Sequence, residues 1–199
     1  MAKSNPILHR LRSVKDPIEL DLLQKACDIT EKGFKRVLQF VKPGVMEYEI
    51  EAEFMHEFLR NRSRGFAYTP IVASGNNANV LHYVVNNSEC KAGELILLDI
   101  GAEYANYSSD MTRTIPVSGK FTDRQKDVYN AVLRVKKEAT KMLTPGNLWG
   151  PYHEEVGKLM TSELLGLGLL DKADVQNENK DWPAYKKYFM HGTSHHIGL

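Results

Sequence analysis

Cysteine is scarce in this sequence: Cys27 and Cys90 are the two in 199 residues. They form no CxxC pair, which excludes both a disulfide framework and a zinc ribbon and leaves reduced thiols as the simplest reading. Excess charge of one sign is missing too. Lys plus Arg number 26 against 25 Asp plus Glu, a net charge of +1, so nothing points to a nucleic acid or a membrane surface as partner. Long apolar runs are absent: the most apolar stretch, ELILLDIGA at 94–102, is short and carries two acids, too little to span a bilayer. The start, MAKSNPILHRLRSVKD, is basic but has no apolar segment of the signal-peptide kind, and a cytoplasmic protein is expected. Glycine (14) and proline (8) follow no period, which excludes a collagenous or low-complexity chain, and 42% hydrophobic residues at low net charge exclude disorder. What remains is a globular chain of one domain or two small ones, long enough to bury roughly 70% of its unfolded surface.

The punctuation comes in two rounds. Asp16-Pro17-Ile18-Glu19 offers an N-cap, a proline at the first helical position and a glutamate three after the cap. Ile18, Leu22, Ala26, Ile29, Phe34, Val37, Leu38 and Val41 follow at helical spacing until Pro43-Gly44. A second helix is predicted from Glu47 to Arg62, with Ile50, Phe54, Phe58 and Leu59 buried. From Tyr68 the period shortens. Ile71–Ala73, Val80–Val85, Glu94–Ala102 and Met111–Val117 read as strands, with GNNAN (75–79) and NNSECKAG (86–93) as turns. Thr122-Asp123-Arg124-Gln125 has capping-box form and opens a helix carrying Val128, Tyr129, Val132, Val135, Ala139 and Met142. Pro145-Gly146 stops it, and an amphipathic segment runs from Tyr152 to Leu165. VKPGVMEYEIEAEF (41–54) and LTPGNLWGPYHEEVGKL (143–159) therefore resemble one another in order, each joining a long helix to an acidic one through Pro-Gly. The layout implies an α+β domain with hairpin connections.

Chemistry concentrates in LILLDIGAEYANYSSDMTRTIPV (95–117). Asp99 ends an apolar strand and Asp110 opens the next, so a hairpin centred near Tyr104 and Ala105 would set the two carboxylates opposite each other. Two acids at that range repel unless a cation or a shared proton holds them, and hard divalent metals take carboxylate oxygens. The plainer reading, two Asp residues capping turns, weighs equally on this segment alone. His82 lies in an apolar, strand-like run, where a lone histidine is more often a hydrogen-bonded core residue than a catalyst. HGTSHH (191–196) holds three of the seven histidines. His191 and His195 have i, i+4 spacing, but Gly192 and Thr193 argue for a loop or strand, with the histidines serving separate jobs.

TPIVASGNNANVLHY, LILLDIGAEYANYSSDMTRTIPVSGKFT and FMHGTSHHIGL, in this order, resemble the catalytic domain of the pita-bread metallopeptidases, and within them the Xaa-Pro aminopeptidases (aminopeptidase P), from about Leu11 to Leu199. Ser194, where prolidases usually carry glycine, favours the aminopeptidase branch modestly. The resemblance implies an α+β pita-bread fold: a mainly antiparallel curved sheet with helices on its outer face and pseudo-twofold symmetry. It implies two divalent metal ions, usually manganese, held by two Asp, one His and two Glu. By position, Asp99 would chelate one metal, Asp110 would bridge both and His195 would bind the other. His82 and His191 resemble the family's catalytic, substrate-side histidines, and Tyr68 its tyrosine beside the metals. The implied reaction releases the N-terminal residue from peptides with proline at the second position.

The same resemblance puts two glutamate ligands beyond HGxSHxxGL, and often a further domain before this one. The expectation is therefore a 1–199 catalytic domain without its last strands and without the preceding domain, its second half incomplete. Such a chain would bind metal weakly, have little activity, and self-associate as a homo-oligomer through uncovered sheet edges. The alternatives are an Xaa-Pro dipeptidase (prolidase) and a non-catalytic pita-bread binding module.

Overall fold

The computed structural model describes residues 4–179 and 181–199. These residues divide into two compact units, one of residues 4–121 with 196–199 and one of 122–179 with 181–195.

The first unit opens with α1 (Asn5–Ser13), a helix that buries none of its side chains and that the sequence reading did not anticipate. Helix α2 (Pro17–Phe40) starts where its capping box predicts, with the Asp16 amide donating to Glu19 Oε2 at 2.7 Å. Helix α3 (Glu47–Arg60) follows the Pro-Gly turn. The two helices meet through Phe34 and Phe54, whose rings lie edge to face at 5.0 Å between centroids. Strands β1 (Ile71–Ser74), β2 (Leu95–Ile100) and β5 (Met111–Pro116) form an antiparallel sheet in the order β1-β2-β5. Between β2 and β5, the two-residue strands β3 (Glu103–Tyr104) and β4 (Tyr107–Ser108) pair as a small hairpin. Burial alternates along β2. Ile96, Leu98 and Ile100 enter the core with Ile29, Val37, Ile50, Phe54 and Phe58 of the helices, while Leu95, Leu97 and Asp99 take the other face.

One expected strand does not form. Val80–Val85 is irregular, entered from a 3-10 turn at Gly75–Asn79. Its β-branched composition is overruled by Asn86, a buried residue whose side chain takes the place of a pairing strand against β1. Asn86 Oδ1 accepts from the Val72 amide at 3.0 Å and its Nδ2 donates to the Pro70 carbonyl at 3.0 Å. His82 is consequently exposed in a loop rather than set within a strand.

In the second unit, α4 (Asp123–Met142) is capped by Thr122, whose Oγ1 accepts from the Gln125 amide at 3.3 Å. Helix α5 (Trp149–Gly166) follows the second Pro-Gly, and α6 (Lys172–Gln176) is a short turn of helix. Val135 and Ala139 pack with Tyr152, Val156, Met160 and Leu164, and Leu170 and Tyr185 close the cluster. No helix among the described residues is long and apolar enough to cross a membrane.

Candidate metal centre

The register of β2 and β5 decides how the two acids meet. Asp99 stands opposite Thr112, and Ile100 opposite Met111. Asp110, two residues before Thr112, is therefore a diagonal neighbour of Asp99 on the same face, not its direct partner as the hairpin reading expected. The turn falls one residue later than predicted. Ala105 and Asn106 both adopt positive φ (51° and 69°), as a two-residue turn with matching twist requires.

Tyr68 joins the pair. Its hydroxyl lies 2.7 Å from Asp99 Oδ1 and 3.1 Å from Asp110 Oδ1, so one phenolic proton serves two carboxylates. Burial, and then the bonds and negative charge of Asp99 and Asp110, push the Tyr68 pKa up, which keeps the hydroxyl a neutral donor. Asp99 is half-buried and Asp110 exposed, so the pair opens to solvent at one side. Two carboxylates on one face around a neutral donor are a donor set suited to hard divalent cations. Within this unit no third His, Cys, Asp or Glu among the described residues completes a cluster of three.

A buried hydroxyl lock holds this arrangement from beneath, and nothing in the sequence reading singled it out. Thr30 of α2 and Ser109 lie 2.7 Å apart through their hydroxyl oxygens. The Ala102 amide donates to Thr30 Oγ1 at 2.9 Å and lies 3.0 Å from Ser109 Oγ. The Ser109 amide returns a bond to the Ala102 carbonyl at 3.1 Å. The bonds pin residue 102 to residue 109, and hence fix the backbone at Asp110 relative to the end of β2. The available signal was a threonine between Ile29 and Gly33 on a helix face that is otherwise core.

The histidines are distributed differently. His82 belongs to the first unit, while His191 and His195 lie in the second, in an irregular exposed segment after the 3-10 turn Ala184–Lys187, as the Gly-Thr pair predicted. Helix α5 fastens that segment: the Tyr152 hydroxyl lies 3.3 Å from Ser194 Oγ and His153 Nδ1 lies 3.1 Å from Thr193 Oγ1. The His153 ring itself packs near Tyr185 and Phe189, at 6.5 and 6.2 Å between centroids. Tyr152 and His153 were read from sequence only as part of an amphipathic helix.

Comparison with known proteins matches residues 21–199 to the model of metallopeptidase family M24. The chain belongs to metallopeptidase family M24. Among curated M24 relatives it is 41% identical to the Xaa-Pro aminopeptidase of Haemophilus influenzae and 40% identical to that of Escherichia coli, in each case over 98% of this chain. The chain spans 45% and 44% of the length of those two proteins. Among solved structures, a variant of E. coli aminopeptidase P in complex with substrate superposes with a TM-score of 0.90 at 38% identity, covering 98% of this chain and 44% of that one. Proline aminopeptidase P II from Yersinia pestis gives 0.88 at 36%, with the same coverage. The α+β architecture is thus the pita-bread fold of the M24 aminopeptidases.

Proposed function

We propose that this chain forms part of a dinuclear Xaa-Pro aminopeptidase and carries three of its metal ligands. The observation that supports this most is the Asp99–Tyr68–Asp110 arrangement, found in a chain about 40% identical to Xaa-Pro aminopeptidases. Asp99, Asp110 and His195 would hold two divalent ions, manganese being our choice. When bound, such ions supply Lewis acidity toward a peptide carbonyl and lower the pKa of water. The protein's own share is positional. Tyr68 donates between the carboxylates and holds them on one face, and the Thr30–Ser109 lock prevents them from drifting apart. His82 and His191 would act as substrate-side histidines that steady the scissile peptide of a substrate with proline at the second position. We further propose a cytoplasmic protein: burial raises the pKa of both thiols, with Cys90 pushed up to about 11, which suits unreactive reduced cysteines. We also propose that it self-associates as a homo-oligomer through β5, the edge of the sheet opposite β1.

Calorimetric titration with manganese tests the metal assignment. Weak binding by the 199-residue chain, abolished by Asp110→Ala, is expected. A chain of the relatives' length carrying this sequence should release the N-terminal residue from Xaa-Pro tripeptides. Activity confined to dipeptides would show a prolidase instead, and a longer chain that binds no metal would show a non-catalytic module.

A further inference from the structure

Glu47 opens α3 yet exposes none of its surface. Its Oε1 accepts from the Ser74 amide and the Ser74 hydroxyl, both at 2.7 Å, and from Asn77 Nδ2 at 3.1 Å. Its Oε2 accepts from the Tyr83 hydroxyl at 2.7 Å and the Ser88 amide at 2.9 Å. A buried carboxylate is tolerated only where donors replace its lost water, and here five do so. Every one of those donors lies between residues 74 and 88. The backbone adds a second tie, from the Glu47 amide to the Ser88 carbonyl at 2.9 Å.

The clamped segment is the one that failed to become a strand. Tyr83 turns inward to Glu47, while its neighbours Leu81, His82 and Val84 face solvent. His82 is held at a φ of 53°, a left-handed conformation that a residue with a side chain keeps only when its surroundings impose it. The residue next to it is the anchor.

We infer that Glu47 is a positioning residue for His82: through Asn77, Tyr83 and Ser88 its carboxylate holds the 75–88 loop in the conformation that presents the His82 imidazole. The inference rests on the reading of His82 as a substrate-side histidine. An apolar plug would stabilise the same cavity, but only an acceptor with two oxygens can fix four separate residues in one arrangement.

The test uses the full chain, the variants Glu47→Gln and Tyr83→Phe, and a His82→Ala background. In Glu47→Gln an NH2 group takes the place of one oxygen and meets a donor, while Tyr83→Phe removes a single donor and leaves the carboxylate in place. Amide exchange should quicken at least tenfold across 75–88 in both variants, with 95–116 unchanged. The His82 ring proton signal should move toward that of an unstructured peptide while that of His56, on α3, stays in place. Binding of an Ala-Pro-Ala probe, followed by NMR titration, should weaken about tenfold in Tyr83→Phe. That loss should vanish in a His82→Ala background. An unmoved His82 signal in Tyr83→Phe overturns the inference, and so does a Tyr83→Phe effect that persists undiminished when His82 is alanine. A wild-type chain that binds no such peptide overturns the reading of His82 as a substrate-side histidine instead, while exchange and the ring signal still decide whether Glu47 sets this loop.

Discussion

Two helix pairs, each joined through Pro-Gly, support quite different interiors. In the first unit α2 and α3 cover a sheet, and the buried set includes Thr30, Glu47, Glu57, Ser63, Ser74, Asn86 and Ser109. In the second, α4 and α5 close over Leu170 and Tyr185, and among the described residues the buried set is apolar or tyrosine. The difference teaches where precision is needed. An apolar cluster tolerates small slips, because dispersion and burial have no direction. Hydrogen bonds to a buried carboxylate or hydroxyl do not, because a displaced partner leaves a desolvated group unpaired. The unit that carries the acid pair and His82 is the one assembled around such bonds.

The contrast can be broken at its glycines. A Cβ at Gly101 would lie 1.9 Å from the Ser109 carbonyl oxygen, whereas one at Gly157 would meet the Tyr185 ring at 2.6 Å. Backbone held by the Thr30–Ser109 lock cannot retreat, but a ring can turn. Gly101→Ala is expected to destabilise the first unit by more than about 3 kcal/mol, the upper end of overpacking effects, and Gly157→Ala to destabilise the second by about 1 kcal/mol. Amide exchange resolved by segment measures both, and equal losses would contradict the distinction.

Acid should separate the units next. Burial raises the pKa of Glu47, but the Ser74 and Ser88 amides and the Tyr83 and Ser74 hydroxyls outweigh it, and the net result lies below the ordinary 4.5. A depressed carboxylate contributes stability that is fully present above its unfolded pKa and is lost as pH falls through the folded one. Exchange in 71–90 should therefore accelerate below about pH 4.5, before exchange in α5 does, and Glu47→Gln should remove that pH dependence.

Thr30→Val keeps the shape of the side chain and deletes its hydroxyl. It should cost about 1–3 kcal/mol, since Ser109 and the Ala102 amide lose a buried partner. It should also weaken whatever manganese binding the chain shows, with thermal unfolding and calorimetry as the two readouts. The smallest effect belongs to the surface of the second unit. Arg134 and Glu163 form two parallel bonds at 2.8 and 2.6 Å between α4 and α5. Both are open to solvent screening, and Arg134→Ala should shift the melting temperature little, less still in high salt.

Much of the fold was legible because it is local. Asp16, Thr122 and the two Pro-Gly pairs act within one helical turn of themselves, so α2 to α5 begin or stop where their residues say. The alternating burial of β2 follows from period alone. The candidate site was legible in its acids and histidines, since those residue types are chemically distinctive in any context. Val80–Val85 was misread because the side chain of Asn86, the next residue, satisfies the edge of β1 some 14 residues earlier, a contact that β-branched composition does not encode. Glu47 was read as an ordinary helix start, since nothing near it in sequence reveals that it will be buried.

By itself, then, the sequence determined the helices, the strand around Asp99 and the inventory of candidate ligands. Only the tertiary structure decided that Asp99 and Asp110 meet diagonally around Tyr68, that Thr30 locks them, and that Glu47 holds the His82 loop. Each of those contacts joins residues far apart in the chain, as Thr30 meets Ser109 and Glu47 meets Tyr83, and such pairings are set by packing and register, which local propensity does not encode.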